Sequence, residues 1–92
     1  MLVGLGNPGR EHKSDRHNVG FMLLDRLTSV AGAGFDRVRF DALVTTGRLA
    51  DRRVILAKPQ TYMNLSGRTA GRLLRANGIP IECMLVVYDD LD

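Results

Sequence analysis

The spacing of apolar residues predicts a strand and then a helix in the first third of the chain. Residues 1–4 form a short apolar run closed by a glycine, which is the pattern of a buried strand. A helix is predicted to begin near Ser14 or Asp15, because either side chain can cap its first turn. Gly32-Ala33-Gly34 is predicted to end it. The apolar residues at helical spacing, which predict the buried face of this helix, are Val19, Met22, Leu23, Leu27 and Val30.

Further along the chain, residues 35–49 and 53–58 have the apolar and polar alternation of strands. Ala50-Asp51 is predicted to form the hairpin turn between them, and Pro59 to end the second strand. Residues 84–88 form an apolar strand without polar alternation, so both of its faces are predicted to be covered.

A second helix is predicted between these strands, after residues 64–67. It ends at Gly78, which stands where a C′ glycine belongs, and Pro80 blocks its continuation. Its buried face is predicted to consist of Ala70, Leu73, Leu74 and Asn77.

The element order β-α-β-β-α-β predicts an α/β fold, with a mixed, mostly parallel sheet and flanking helices in a single domain over residues 1–92. Ligand sites in such sheets lie beyond the carboxyl ends of the strands. The chain ends four residues after the apolar strand 84–88, where such a site would be built. We therefore expect a domain that is truncated on its C-terminal side, the first part of a longer protein.

Composition narrows the function classes. No apolar run approaches the roughly 20 residues of a membrane span, and no signal-peptide pattern is present. Cys83 is the single cysteine; we expect a buried core thiol and a reducing, cytoplasmic setting. The net charge is +3, but Asp89, Asp90 and Asp92 crowd the end, so residues 1–88 carry +6. A basic body of this kind suits a polyanionic partner such as RNA.

The sequence GLGNPG at residues 4–9 matches the G-x-G-x-x-G pattern of dinucleotide-binding loops, and Asp25 follows near the spacing of the usual ribose-binding acid. That interpretation requires the third glycine to lie in a helix and the acid to end the next strand. Pro8 and the polar residues 10–14 argue against the helix, and Asp25 falls inside the predicted helix. A glycine-rich turn explains the glycines but not Asn7, whose carboxamide could donate and accept hydrogen bonds at the strand end.

His17 lies at the predicted start of the first helix. A single histidine is commonly structural or simply exposed, but the positive end of a helix dipole would lower its pKa and keep the neutral imidazole that a general base requires. Asp89 follows the last strand. It could belong to a solvated acidic loop, or it could accept a hydrogen bond from an imidazole N–H and stabilise the imidazolium. His12, His17 and Cys83 are too scattered for a metal site.

Tyr62 and Asn64 precede the second helix. Asn64 could cap the helix, or it could face the strand ends and bind a peptide group or a developing oxyanion. Tyr62 could pack in the core or offer a stacking surface to a nucleotide or peptide. Arg68, Arg72 and Arg75 lie at positions i, i+4 and i+7, opposite the apolar face of the helix. This basic stripe is either an ordinary solvated face or a set of phosphate contacts.

Four motifs together resemble the bacterial peptidyl-tRNA hydrolase family, in that family's order and spacing. They are GLGNPG at 4–9, RHN at 16–18, KPQTYMNLSG at 58–67 and DDLD at 89–92. The resemblance implies hydrolysis of the ester that joins a peptide to the 3′ end of tRNA, by a cytoplasmic monomer that needs no metal or organic cofactor. Because the plant organellar relatives include splicing factors, a noncatalytic RNA-binding protein is the alternative.

Carried over by position, the resemblance implies that His17 is the general base and that Asp89 is the carboxylate that supports it. Asn7 would help to distinguish a blocked peptidyl group from a free aminoacyl group. Tyr62 and Asn64 would bind the substrate.

The chain departs from the family pattern in two respects. His12 stands at a loop position that is commonly tyrosine, so a substrate contact there rests on position alone. Family members are also considerably longer, and their later strands, a further substrate loop and a C-terminal lid helix have no counterpart here. If the chain is the whole molecule, we expect a crippled or inactive enzyme with an exposed sheet edge; if it is a fragment, the parent should be active.

Overall fold

A computed structural model of the chain describes residues 1–6, 19–61 and 63–88. The elements in chain order are β1 (Leu2–Gly4), α1 (Val19–Val30), β2 (Arg37–Arg39), β3 (Ala42–Leu49), β4 (Arg52–Pro59), α2 (Met63–Asn77), a short 3-10 helix (Ile81–Cys83) and β5 (Leu85–Val87).

The five strands form one mixed sheet in the order β2-β3-β4-β1-β5. β1 pairs in parallel with β4 and β5, whereas β3 pairs antiparallel with β2 and β4. The predicted α/β architecture with flanking helices is therefore confirmed, with one strand more than the sequence pattern indicated.

The prediction of one strand over residues 35–49 is wrong, because Phe40 and Asp41 turn the chain between β2 and β3. Their φ angles are 51° and 64°. Two successive residues at positive φ match the twist of a tight β-hairpin, but such turns are usually signalled by Gly or Asn, and Phe gives no such signal. The predicted turn at Ala50-Asp51 is confirmed, with φ angles of 50° and 63°.

Both helices end with the same backbone motif. Gly78 has a φ of 64°, Ile79 N donates to Leu74 O at 2.9 Å, and Gly78 N donates to Arg75 O at 3.3 Å. At the end of α1, Gly32 has a φ of 72° and occupies the position that Gly78 occupies after α2. The matching hydrogen bonds run from the N–H groups of residues 32 and 33 to the carbonyls of residues 29 and 28. These bonds satisfy the last helical carbonyls, as a glycine at C′ allows. Both predicted helix ends are confirmed.

The helices cover opposite faces of the sheet. Residues paired across neighbouring strands share a face, and the buried cluster of Ala42, Val44 and Ala57 packs against Leu73 of α2. The alternate residues Gly4 and Gly47 approach Leu24 and Ala31, in α1 and just beyond its end. Among the described residues, no helix is long and apolar enough to cross a membrane.

The predicted buried face of α1 is wrong. The buried residues are Gly20, Leu24 and Thr28. Relative to the prediction, the helix is rotated about its own axis. The face that carries its glycine permits a closer approach to β1 than the larger apolar residues would. The exposed members of the predicted face are Val19, Met22, Leu23 and Val30, the last of them 74% exposed.

The buried face of α2 is confirmed at Ala70, Leu73 and Leu74. Asn77 is the exception, since it is exposed and its Nδ2 donates to Leu73 O at 2.9 Å. The side chain therefore helps to finish the helix instead of packing in the core.

The expected burial of Cys83 and of β5 is also wrong. Cys83 is exposed at the end of the 3-10 helix. β5 pairs only with β1 among the described residues, and Leu85 is 59% exposed. An apolar sequence predicts a covered strand, but the described part of the chain supplies no neighbouring strand on the side of β5 that faces away from β1.

Candidate active site at the carboxyl edge of the sheet

Several of the predicted site residues lie outside the described residues. Predictions for their side chains therefore stay predictions, while the segments that flank them along the chain are described. These residues are Asn7, His12, His17, Tyr62 and Asp89.

The flanking segments meet at one edge of the sheet, which we call the carboxyl edge. β4, β1 and β5 are mutually parallel neighbours, so the chain leaves all three at the same side. The GLGNPG motif continues from β1, the KPQTYMNLSG motif spans the exit from β4, and the DDLD motif follows β5. This is the edge at which α/β sheets build ligand sites.

Gly20 fixes the start of α1 at this edge. Leu5 N donates to Val87 O at 2.9 Å, which joins the ends of β1 and β5. A Cβ on Gly20 would lie 2.3 Å from Leu5 O and 2.4 Å from Val87 O. Since real Cβ atoms do not approach backbone oxygens so closely, only glycine fits between these two strand ends.

Gly4 makes the same contact from the strand side. A Cβ at Gly4 would lie 2.4 Å from Gly20 O and 2.7 Å from Leu24 Cγ. The two glycines therefore permit a backbone-to-backbone contact between β1 and α1. Sequence reasoning missed Gly20; its signal was a glycine inside a predicted helix, where it is about 1 kcal/mol less favourable than alanine and so calls for a packing reason.

Hydrogen bonds hold the exit from β4. Gln60 N donates to Asp41 O at 2.7 Å, and Gln60 Nε2 donates to Lys58 O at 3.1 Å. The hydroxyl oxygens of Thr61 and Ser66 lie 3.4 Å apart. Together these bonds link the β2–β3 turn, the end of β4 and the first turns of α2.

The backbone of Asn64 lies inside the first turn of α2, which begins at Met63. The alternative that Asn64 caps the helix is therefore wrong, since a capping residue stands before the first helical residue. Its predicted role in binding the substrate remains a prediction.

Asp25 has a structural partner that further weakens the dinucleotide interpretation. It lies in α1 and its Oδ1 accepts a hydrogen bond from Lys58 Nζ of β4. The ammonium group also lies 4.3 Å from the centre of the Phe35 ring. The acid that the G-x-G-x-x-G pattern requires at a strand end is thus in a helix and paired with a lysine.

Arg68, Arg72 and Arg75 are exposed along α2. The prediction that they form a stripe opposite the apolar face is confirmed. Whether they contact phosphates remains a prediction.

An apolar groove of about 290 Å³ lies beside α2, on the face of the sheet that this helix covers. It extends from Leu5 and Ser66 near the carboxyl edge to Met84 and Ile81. Among the described residues, no group of three or more His, Cys, Asp or Glu side chains could hold a metal ion.

The family model for peptidyl-tRNA hydrolase matches residues 1–92 of the chain. The chain belongs to the peptidyl-tRNA hydrolase family. It is 48% identical over 92 residues to the peptidyl-tRNA hydrolase of Geotalea daltonii, covering all of this chain and 48% of that relative. It is 47% identical to the chloroplastic peptidyl-tRNA hydrolase of Arabidopsis thaliana, again over the whole chain and over 32% of the relative.

A crystal structure of peptidyl-tRNA hydrolase from Acinetobacter baumannii has the same fold. The TM-score is 0.90 at 35% identity, with 99% of this chain and 47% of that chain covered. The chain thus spans about half the length of the bacterial relatives that it matches.

Proposed function

We propose that this chain forms a single domain, residues 1–92, that carries the reaction of its family: hydrolysis of the ester between a peptide and the 3′ end of tRNA, which frees the tRNA for translation. The supporting observation is the contact of Gly20 with the ends of β1 and β5. Asn7 follows Leu5 by two residues, Asp89 follows Val87 by two, and His17 precedes Gly20 by three. Because two residues span at most about 7 Å and three about 11 Å, this contact supports the proposal that all three groups belong to one site.

In the proposed mechanism, the imidazole of His17 removes a proton from water as the oxygen attacks the ester carbonyl. Asp89 accepts a hydrogen bond from the other imidazole N–H and so stabilises the imidazolium. As the tetrahedral intermediate collapses, the bond to the ribose oxygen breaks and the imidazolium returns its proton to that oxygen. The products are the peptide carboxylic acid and the free 3′ end of tRNA.

Other residues are proposed to bind the substrate. Asn7 distinguishes a blocked peptidyl group from a free aminoacyl group, and Asn64 and Tyr62 bind the peptide and the 3′ end. His12 adds a contact from the loop. The exposed stripe of Arg68, Arg72 and Arg75 contacts tRNA phosphates. We further propose that the protein acts in the cytoplasm as a monomer and uses no metal or organic cofactor.

The release of a labelled N-blocked peptide from tRNA tests the assignment of the base. We expect His17→Ala to lower the release rate by about 100-fold or more, because general-base catalysis contributes roughly 10²–10⁴. Asp89→Asn should lower the rate less, since the carboxylate acts through the imidazole. Asn7→Ala should raise the rate on free aminoacyl-tRNA relative to blocked substrate.

His12→Ala is the comparison variant, since it removes the chain's other histidine; because His12 is proposed only to contact the substrate, this change should raise KM and leave kcat nearly unchanged. An unchanged release rate in His17→Ala would refute the assigned base. Specific binding of tRNA without release by the unaltered chain would favour the noncatalytic RNA-binding alternative.

A further inference from the structure

A cluster of arginines lies on one face of the antiparallel part of the sheet. Arg37 is paired with Val44, and Arg48 is paired with Arg53. Because paired residues and every second residue along a strand share a face, Arg37, Arg39, Arg48 and Arg53 all lie on the face that carries α2. The register thus assembles four cations from three strands, at sequence positions that show no common spacing.

Three of these arginines line one small cavity. It has a volume of about 70 Å³, and Arg37, Arg39 and Arg53 surround it together with Thr46 and Asn77 at the end of α2. Arg37 Nη2 donates to Thr46 Oγ1 at 3.3 Å. We call Arg37, Arg39 and Arg53 the arginine cluster.

Among the described residues, little negative charge offsets the arginine cluster. Arg37 Nε lies 3.7 Å from Asp36 Oδ1, and both side chains are more than half exposed. Exposed pairs of this kind contribute little to stability, so another anion can replace the Asp36 carboxylate. Neither Arg39 nor Arg53 makes an ion pair with any described residue.

The end of α2 does not account for the cluster either. Cations near a helix C-terminus can satisfy its last carbonyls. Here Gly78 N, Ile79 N and Asn77 Nδ2 already donate to the carbonyls of Arg75, Leu74 and Leu73. The described hydrogen bonds include none from the arginine cluster to these groups. The guanidinium groups are therefore available to an external ligand.

We propose that the arginine cluster binds phosphate groups of an RNA backbone. A guanidinium fork matches the geometry of phosphate oxygens and can donate two hydrogen bonds at once. Cations distributed over two strands suit a ligand that presents successive phosphates. The Arg39 guanidinium carbon also lies 5.3 Å from the centre of the Phe40 ring. The contact is therefore to the backbone and independent of base sequence. The choice of RNA among phosphate-bearing ligands rests on the proposed function.

β4 supplies a matched control for the test. Arg52 and Arg53 are neighbours on this strand and both are exposed, but strand alternation places them on opposite faces of the sheet. Arg53→Gln and Arg52→Gln therefore remove the same charge from nearly the same place, and only the first removes it from the arginine cluster.

The test measures binding of the chain to a fluorescein-labelled RNA hairpin by anisotropy, between about 50 and 200 mM salt. Each of Arg37→Gln, Arg39→Gln and Arg53→Gln should reduce the slope of log K against log salt by roughly 1. Arg53→Lys should keep most of the slope of the unaltered chain. Arg52→Gln should leave the slope unchanged. Thermal unfolding of each variant confirms that the fold is intact.

Equal reductions of the salt slope by Arg52→Gln and Arg53→Gln would overturn the proposal, because the salt dependence of RNA binding would then reflect net charge alone. Equal binding to anionic lipid vesicles, with the same loss in Arg53→Gln, would assign the cluster to a membrane surface and would also overturn it. Because the readout is binding, the result is separate from catalysis. If His17→Ala abolishes peptide release and leaves the salt slope of binding unchanged, the proposed hydrolysis and the proposed RNA binding are supported independently. If the unaltered chain releases no peptide but shows the expected salt slopes, only RNA binding by the arginine cluster is supported.

Discussion

At the residue scale, Gly20 decides how the start of α1 meets the sheet. A methyl group there would overlap Leu5 O, Leu5 N and Val87 O, all of them backbone atoms where the ends of β1 and β5 are joined. We expect Gly20→Ala to lower the free energy of unfolding by about 3 kcal/mol or more, at the upper end of overpacking effects. Urea denaturation followed by circular dichroism measures this change.

Gly67 is the matched control, since it lies in α2 and a Cβ there would have no neighbour within 4 Å. Gly67→Ala should raise the free energy of unfolding by about 1 kcal/mol through helix propensity. Similar effects of the two substitutions would show that the close contact at Gly20 is not what requires a glycine there.

At the scale of elements, Lys58 joins α1 to β4. Its side chain is 12% exposed and Nζ contacts Asp25, while the rings of Phe35 and Phe21 lie 4.3 Å and 5.7 Å away. Asp25 is 57% exposed, so water screens the ion pair. The rings face a more desolvated cation, where cation–π attraction reaches about 2 kcal/mol.

Double-mutant cycles separate these contributions. We expect Lys58→Met and Phe35→Leu to show a coupling of about 1–2 kcal/mol in unfolding free energy. The cycle of Lys58→Met with Asp25→Asn should give less than about 1 kcal/mol. A larger coupling of Lys58 to Asp25 than to Phe35 would show that the ion pair, and not the cation–π contact, is the stronger of the two interactions.

At the scale of the whole molecule, the two edges of the described sheet differ. β2 presents Arg37 and Arg39 beside Val38, and edge charges of this kind oppose strand pairing between molecules. β5 is Leu-Val-Val. Since Leu85 N and Val87 O bond to β1, the backbone groups of Val86 point to the other side. β5 is therefore the edge that can accept another strand.

We expect the 92-residue chain to associate at high concentration through β5. Leu85→Lys should suppress this association in sedimentation velocity runs, because it places a charge on the edge. Val38→Lys is the control, since Val38 is 69% exposed but lies on the edge already protected by arginines. Equal suppression by both variants would contradict a role for β5.

Much of the fold follows from local sequence, as does the family on which the predicted site residues rest. The helix ends at Gly32 and Gly78 and the turn at Ala50-Asp51 were predictable because each depends on backbone conformations that few residues adopt. The family followed from four short motifs whose residue types and spacing are specific in combination. Positions on one helix, such as the exposed Arg72, could also be predicted, because helical periodicity alone decides them.

Only the tertiary structure decided which face of α1 is buried, where β5 lies in the sheet and which cations share a surface. The burial of Gly20 in place of Met22 depends on a close approach to β1, a strand distant in sequence. The grouping of Arg39 with Arg53 depends on strand register. Apolar periodicity describes one element at a time, whereas packing and register are relations between elements, and those relations determine which predicted surfaces meet.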